Sequence, residues 1–494
     1  MPEAQTELDG FEVLIFCSDQ HTAGVAGFMG DRIARTPHLD AIADRGIVFE
    51  NAYTSCPLCA PARASFMTAR VPSRIGMFNN SCDFRSSEVT FAHLHAMKGY
   101  DSVLIGRMHF NGMDFFHGFT KRVSKDITGS YWGFSAENRA DLKNYARSMR
   151  QESCLELIGS GDTPVREYDR RVVADAVEYL AHDYEKPQLM VVGTYGPHFP
   201  YVADGVRMEK YREALRGAYR ESRPDFTAPP LLNRVQNAST EDIIELRAAY
   251  YALVEEMDDE VGQVYQAFQK YLARRGRPGI FIYMSDHGDQ LGYKGLYGKQ
   301  TFFERSAKIP LIFSMAGVGP RRVRESVSIM DVGPTLCSLN GTENYPEADG
   351  KSFAAALDGN EMPGRSAVSE FYDMQDNRCL IGRMLHREHR KLICYDAYPE
   401  QDMLFDTDQD PEEEKNMVSA EPGLYREMKA ILDSSPVAPD NRADFRDCLV
   451  KHRILAQLGA KHPEWNPYTY IASKAVRGIS SSCKRKRSAS KSTK

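Results

Sequence analysis

Four short apolar runs punctuate the chain: Phe11–Phe16, Ser102–Gly106, Gln188–Gly193 and Gly279–Met284. None alternates polar with apolar residues, and unbroken hydrophobicity over so short a length predicts strands covered on both faces, as in a parallel sheet under helices. Each run hands over to polar residues: Asp19 after the first, Arg107 and His109 after the second, His198 after the third, and Asp286 with His287 after the fourth. In open α/β sheets ligands bind beyond the carboxyl ends of the strands, so these side chains are candidates for one site. Ile244, Leu246, Tyr250, Leu253, Val254, Met257, Val261, Val264 and Phe268 recur at helical spacing and predict a covering helix from about Thr240 to Leu272. Asp258 and Asp259 on it read as solvated or structural. A shorter helix is expected over 36–45, with Thr36 as its cap, Pro37 in its first turn and Gly46 closing it.

Composition narrows the class. A chain of 494 residues with 42% hydrophobic and 26% charged content is that of a soluble globular protein, with length for about two to three domains. A net charge of -6 offers no general attraction to nucleic acid or to a membrane surface. No run of about eighteen apolar residues predicts a span, and the first ten residues lack the pattern of a secretory signal. Ten cysteines at irregular spacing do not form a disulfide framework; most are expected as reduced core residues of a cytoplasmic protein. The polar stretch from 118 to 165 contains Tyr131-Trp132-Gly133, an aromatic pair that either faces a quaternary ammonium group or fills a gap in the core. The Ser/Lys/Arg-rich end, Ser480–Lys494, reads as a disordered tail.

Residues 56–70 read Cys-Pro-Leu-Cys-Ala-Pro-Ala-Arg-Ala-Ser-Phe-Met-Thr-Ala-Arg. Pro61 suits a first helical turn, which sets Cys59 at a helix N-terminus, where free amides favour negative charge. Its sulfur is poised there as a nucleophile or as the seat of an anion, with Arg63 on the same helical face. Three plainer readings stand beside this one: a Cys56-x-x-Cys59 redox pair, half of a zinc site, or a buried structural cysteine.

Cys59-Ala60-Pro61-Ala62-Arg63 with Thr68 and Arg70 resembles the Cys-x-Pro-x-Arg signature of the type I sulfatases. Asp19-Gln20, Gly106-Arg107-Met108-His109, Gly196-Pro197-His198, Ser285–Gly292 and the run from Gly295 to Leu311 are similar to other segments of that family. The closest likeness is to its choline sulfatase and phosphonate monoester hydrolase branch. The resemblance spans roughly residues 10–420. It implies the α/β fold of the alkaline phosphatase superfamily: a mixed, mostly parallel sheet with helices on both faces, and a smaller C-terminal α+β subdomain. The implied division is a catalytic domain at 1–370, a subdomain at 371–475 and a basic tail at 476–494.

By the same resemblance Cys59 is oxidised after synthesis to formylglycine by a maturation enzyme, and the hydrated aldehyde attacks sulfur. Asp19, Cys59, Asp286 and His287 are the implied ligands of one divalent cation, calcium. Arg63 neutralises sulfate oxygens, His198 or Lys299 protonates the departing alcohol, and His109 takes the proton whose removal expels sulfate. Asn80, Arg107 and Trp132 are candidate substrate contacts, for a sulfate ester of choline, a sugar or another small alcohol. Family likeness favours a homo-oligomer. Four positions depart from the pattern: Gln20 and Arg107 replace an Asp and a Lys, and Ala62 and Ala69 stand where Ser and Gly are common. A phosphonate or phosphate ester hydrolase of the same fold is the nearest alternative, and a non-catalytic metal or redox protein the more distant one.

Overall fold

The computed structural model describes residues 10–112, 114–127, 155, 157–222, 224–226, 238–375, 378–437 and 441–461. In chain order the large sheet contains β1 (Glu12–Asp19), β2 (Ile47–Phe49), β3 (Asp101–Gly106), β4 (Lys121–Arg122), β5 (Gln188–Pro197), β6 (Gly279–Ser285), β7 (Leu311–Met315) and β8 (Arg321–Val323). Their spatial order is β8-β2-β7-β6-β1-β5-β3-β4. The four apolar runs are thus four adjacent strands, β6, β1, β5 and β3, all mutually parallel. β7 runs antiparallel to both β6 and β2, which makes the sheet mixed.

Why these runs are apolar throughout follows from where successive side chains go. Val13, Ile15 and Cys17 of β1 enter one core cluster with Ala64, Phe66 and Met67 of α2 (Cys59–Thr68). Leu14 and Phe16 point the other way, into a second cluster with Val172, Val173 and Ala176 of α3 (Pro164–Leu180) and with Leu246, Tyr250, Val254, Met257 and Val261 of α4 (Thr240–Arg275). Side chains alternate between faces, and here both faces are dry, so both parities are mostly apolar and the polar exceptions, Glu12, Ser102 and Gln188, stand at the strand starts with hydrogen-bond partners. Each fully buried Val, Leu, Ile or Phe contributes about 1.5–3 kcal/mol.

The covering helix is longer than its hydrophobic stripe predicts. It opens on a capping box of Ser239 and Asp242 and ends at Gly276, which holds φ 62°. Asp258 is structural: its carboxylate accepts from the backbone amides of His38 and Leu39 at 3.0 and 2.8 Å, and so caps α1 (Pro37–Ala43). The expected cap, Thr36, does not serve. Its hydroxyl accepts from Gly27 N and donates to Asp40, leaving the helix amides to Asp258.

A second sheet follows, wholly antiparallel: β9 (Ser366–Gln375), β10 (Arg378–Arg387), β11 (Arg390–Tyr395) and β12 (Met403–Asp406). It docks through a buried charged node, in which Lys391 lies 2.9 Å from Glu304 and 2.7 Å from Glu413. Tyr53 adds a hydroxyl bond to Glu304 at 2.9 Å. One cysteine pair departs from expectation: Cys82 is disulfide-bonded to Cys448 on α5 (Asn441–Lys461), while Cys17, Cys56, Cys59, Cys337, Cys379 and Cys394 are free and buried. Two distant segments supply the bond, so spacing alone carried no sign of it. No helix among the described residues is long and apolar enough to cross a membrane. Tyr131, Trp132, Gly133 and the tail from 476 to 494 lie outside the described residues.

Candidate active site

The carboxyl ends of β1, β5, β3 and β6 carry Asp19, His198, Arg107 with His109, and Asp286 with His287, and α2 starts at Cys59 directly opposite. One ligand atom from each of Asp19, Cys59, Asp286 and His287 lies within 4.8 Å of the other three, and all four residues are fully buried. His287 donates from Nδ1 to the Gly288 carbonyl at 3.1 Å, which leaves Nε2 as the lone-pair nitrogen, 3.2 Å from Cys59 Sγ. Asp286 is held by backbone amides of Gln20 and His287. Gly288 permits the turn that follows, since a Cβ there would sit 2.1 Å from the Arg305 carbonyl.

Two buried arginines brace the carboxylates. Arg63 donates from Nε to Asp286 at 2.8 Å and from its terminal amine to Asp19 at 3.1 Å, and Arg107 Nε meets the same Asp19 oxygen at 2.7 Å. Burial alone would raise the Asp19 carboxyl; the charges of Arg107, Arg63 and Lys299 outweigh it and hold the group well below the usual carboxylate range. The other Asp19 oxygen faces the cluster, 3.7 Å from Cys59 Sγ. A fully buried carboxylate oxygen with so weak a partner, beside an imidazole lone pair and a second carboxylate, suits a hard divalent cation.

Lys299 reaches the cluster from the loop after β6. Its ammonium donates to Gln20 Oε1 at 2.8 Å, to Cys59 Sγ at 3.0 Å and to His198 Nε2 at 2.8 Å. His198 gives its Nδ1 proton to the Phe199 carbonyl at 2.7 Å, so Nε2 is the acceptor. Burial and the neighbouring Lys299 keep this imidazole well below its ordinary pKa, and therefore neutral. His109 stands at φ 52° and accepts from Arg107 through Nδ1 at 3.0 Å; burial, then Arg107, lower its pKa. Asn80 Oδ1 accepts from Ala60 N at 3.0 Å, at the first turn of α2 beside Cys59.

Every candidate in the described residues is therefore in this neighbourhood. Cys56 is not among the clustered ligands, and burial followed by Glu370 pushes its thiol well above the ordinary range, away from redox reactivity. Ala69, where glycine is common in the resembling family, adopts φ 56°, the left-handed region in which glycine is unstrained.

Several residues of the constellation lay beyond the sequence reading. Asp126 accepts the backbone amides of Met108 and His109. Asp289 accepts from Gln20 Nε2 at 2.5 Å and from the Tyr201 hydroxyl at 2.6 Å, fixing the amide that Lys299 uses. Asp289 shares a short glycine-flanked run with Asp286, a usable signal; Asp126 lies in a polar stretch with none.

A parallel sheet edge bearing this set, capped by the helix of Cys59, defines a hydrolase of the alkaline phosphatase fold. The sulfatase family profile matches residues 12–342, and the profile of the N-sulphoglucosamine sulphohydrolase C-terminal region matches residues 292–435. The chain is 30% identical over 467 residues to a choline-sulfatase of Rhizobium meliloti (strain 1021), an alignment covering 89% of this chain and 86% of that one. The phosphonate monoester hydrolase of Agrobacterium radiobacter superposes with a TM-score of 0.67 at 20% identity, covering 86% of this chain and 95% of that one. A 2-O GAG sulfatase superposes equally well, at 0.67 and 22% identity over 89% of this chain and 94% of that one. This chain belongs to the sulfatase family, and is a sulfuric ester hydrolase.

Proposed function

We propose that the protein hydrolyses the sulfate ester of a small alcohol, with the oxidised side chain of Cys59 as nucleophile. The convergence of Asp19, Cys59, Asp286 and His287 within 4.8 Å carries this reading. Asp19, Asp286, His287 and the side chain at 59 would hold one divalent cation, calcium by the oxygen-rich donor set, which supplies charge neutralisation at the sulfate oxygens. Formylglycine at 59, made by a maturation enzyme acting on the Cys59-Ala-Pro-Ala-Arg63 stretch, supplies a hydrated aldehyde oxygen in place of a thiol.

The chain's own residues do the rest. Arg63 donates to both Asp19 and Asp286, and Arg107 to Asp19, so we assign both to keeping the carboxylates ionised and aimed. Arg63 therefore acts behind the carboxylates instead of directly on sulfate oxygens. Lys299 holds the proton and His198 the lone pair, 2.8 Å apart, so the pair delivers a proton to the departing alcohol. His109 has its Nδ1 lone pair taken by Arg107, so its Nε2 carries the proton and can donate a hydrogen bond to the side chain at 59; the base role implied for it by the resemblance does not follow from this tautomer. Asn80 borders the substrate, whereas Arg107, engaged by Asp19 and His109, stands behind it.

Choline sulfate is our first candidate substrate, on the likeness to the Rhizobium enzyme; sulfated sugars come next. Mass spectrometry of the tryptic peptide Gly46–Arg63, which carries residue 59, tests the nucleophile, because formylglycine is about 18 Da lighter than cysteine. Release of inorganic sulfate from a panel of sulfate esters, with matched aryl phosphonates as controls, tests the reaction. A retained thiol in active protein, or faster phosphonate than sulfate cleavage, refutes it.

A further inference from the structure

β5 leaves its register with β1 just where it matters. Cys17 pairs with Gly193 and the next partners are Asp19 and Pro197, so Thr194, Tyr195 and Gly196 bulge out of the ladder. Bulge amides lose their strand partner and need another acceptor. Asp169, a buried residue in the first half of α3, supplies it: one carboxylate oxygen accepts from Tyr195 N and the other from Gly196 N, each at 2.7 Å. The held segment leads straight into His198, and the Tyr195 ring lies edge-on to the His198 ring with centroids 4.7 Å apart. The Arg107 guanidinium lies over that same ring, 4.7 Å from its centroid. Behind the turn, Asp169, Gly196, His198 and Glu260 line a cavity of about 260 Å³.

We infer that Asp169 is a positioning residue for proton delivery: by gripping both bulge amides it sets His198 at the distance from Lys299 that protonates the departing alcohol. This rests on the sulfatase reading above. Asp169 touches neither substrate nor the reacting atoms. Its effect passes through the backbone, from the carboxylate to the two amides, and on to the imidazole.

Leaving groups differ in how much they need that proton. A 4-nitrophenolate departs nearly unaided, whereas an alkoxide must be protonated as it leaves. Asp169→Asn keeps one acceptor oxygen and turns an amide N–H toward the second bulge amide. It is expected to lower kcat/KM about 30-fold on an alkyl sulfate and no more than about 3-fold on 4-nitrophenyl sulfate. Asp169→Glu, which keeps the carboxylate one methylene farther out, should show the same bias to a smaller degree, and serves if the Asn variant does not fold. In a cycle with His198→Ala, Asp169→Asn should add no further leaving-group bias. Equal losses on both esters, no loss on either, or full additivity with His198→Ala would overturn the proposal. Inactivity of the unaltered protein on both esters would instead overturn the sulfatase reading and this inference with it.

Discussion

Lys299 is the residue on which the site's charge balance turns. Its ammonium sits within 3.0 Å of an amide oxygen, a sulfur and an imidazole nitrogen, a geometry that suits a compact tetrahedral donor. A planar guanidinium does not match it. Lys299→Arg should therefore lower kcat nearly as far as Lys299→Ala, by about 10²–10⁴, as measured by sulfate release under saturating ester. A Lys299→Arg enzyme at near-normal rate would show that charge alone is enough. Gly193 matters for a different reason, since a Cβ there would lie 1.8 Å from the Arg107 carbonyl. Gly193→Ala is expected to cost about 1–3 kcal/mol in urea unfolding and to depress activity, because the strand end carrying Arg107 and His109 must shift.

At the scale of elements, the long helix α4 does more than cover the sheet. Asp258 reaches across to cap α1, and burial raises its carboxyl to about 6 against the pull of the two amides. Asp258→Ala removes the acceptor of two helix amides and should cost about 1–3 kcal/mol. Equilibrium denaturation measures it, and a cost near zero would mean that water replaces the carboxylate. The β5 bulge shows the same economy: one acidic side chain on a helix satisfies backbone amides that the sheet cannot.

For the whole molecule, the join between the two sheets combines an apolar cluster, in which Phe302 and Phe303 meet Phe371, Met384 and Phe405, with a buried charged node. Lys391 is fully buried between Glu304 and Glu413, and Glu304 lies just past the loop of Lys299. Lys391→Ala leaves two buried carboxylates without their cation and should cost about 3–5 kcal/mol, whereas a buried pair in place adds little net stability. Acid should weaken the fold for a separate reason. Burial holds His95 down at about 4 and His386 at about 3, so both stay neutral in the native state while the unfolded chain takes up protons below pH 6.5. Stability should fall as pH drops from about 6.5 toward 4, on the order of 3 kcal/mol for each such histidine. Urea midpoints across that range read it directly, and a flat profile would contradict the neutral assignment.

Strand identity was legible from the apolar runs, because a strand dry on both faces takes polar residues only where they are partnered; in β1, β3 and β5 the buried Glu12, Ser102 and Gln188 sit at the strand starts and are hydrogen-bonded. So was the start of α2 at Cys59, since Pro61 fits only a first turn. The polar residues after each strand, Asp19, His109, His198 and Asp286, followed from the strands themselves. Tertiary structure alone decided which side chains serve as acceptors for amides far away in sequence. Asp258 capping α1 in place of Thr36, Asp169 gripping the bulge, and Asp126 under Met108 and His109 are of this kind. So is the union of Cys82 with Cys448. A carboxylate's partner is set by which backbone amides the folded topology leaves unpaired nearby, and hydrophobic periodicity carries no information about that.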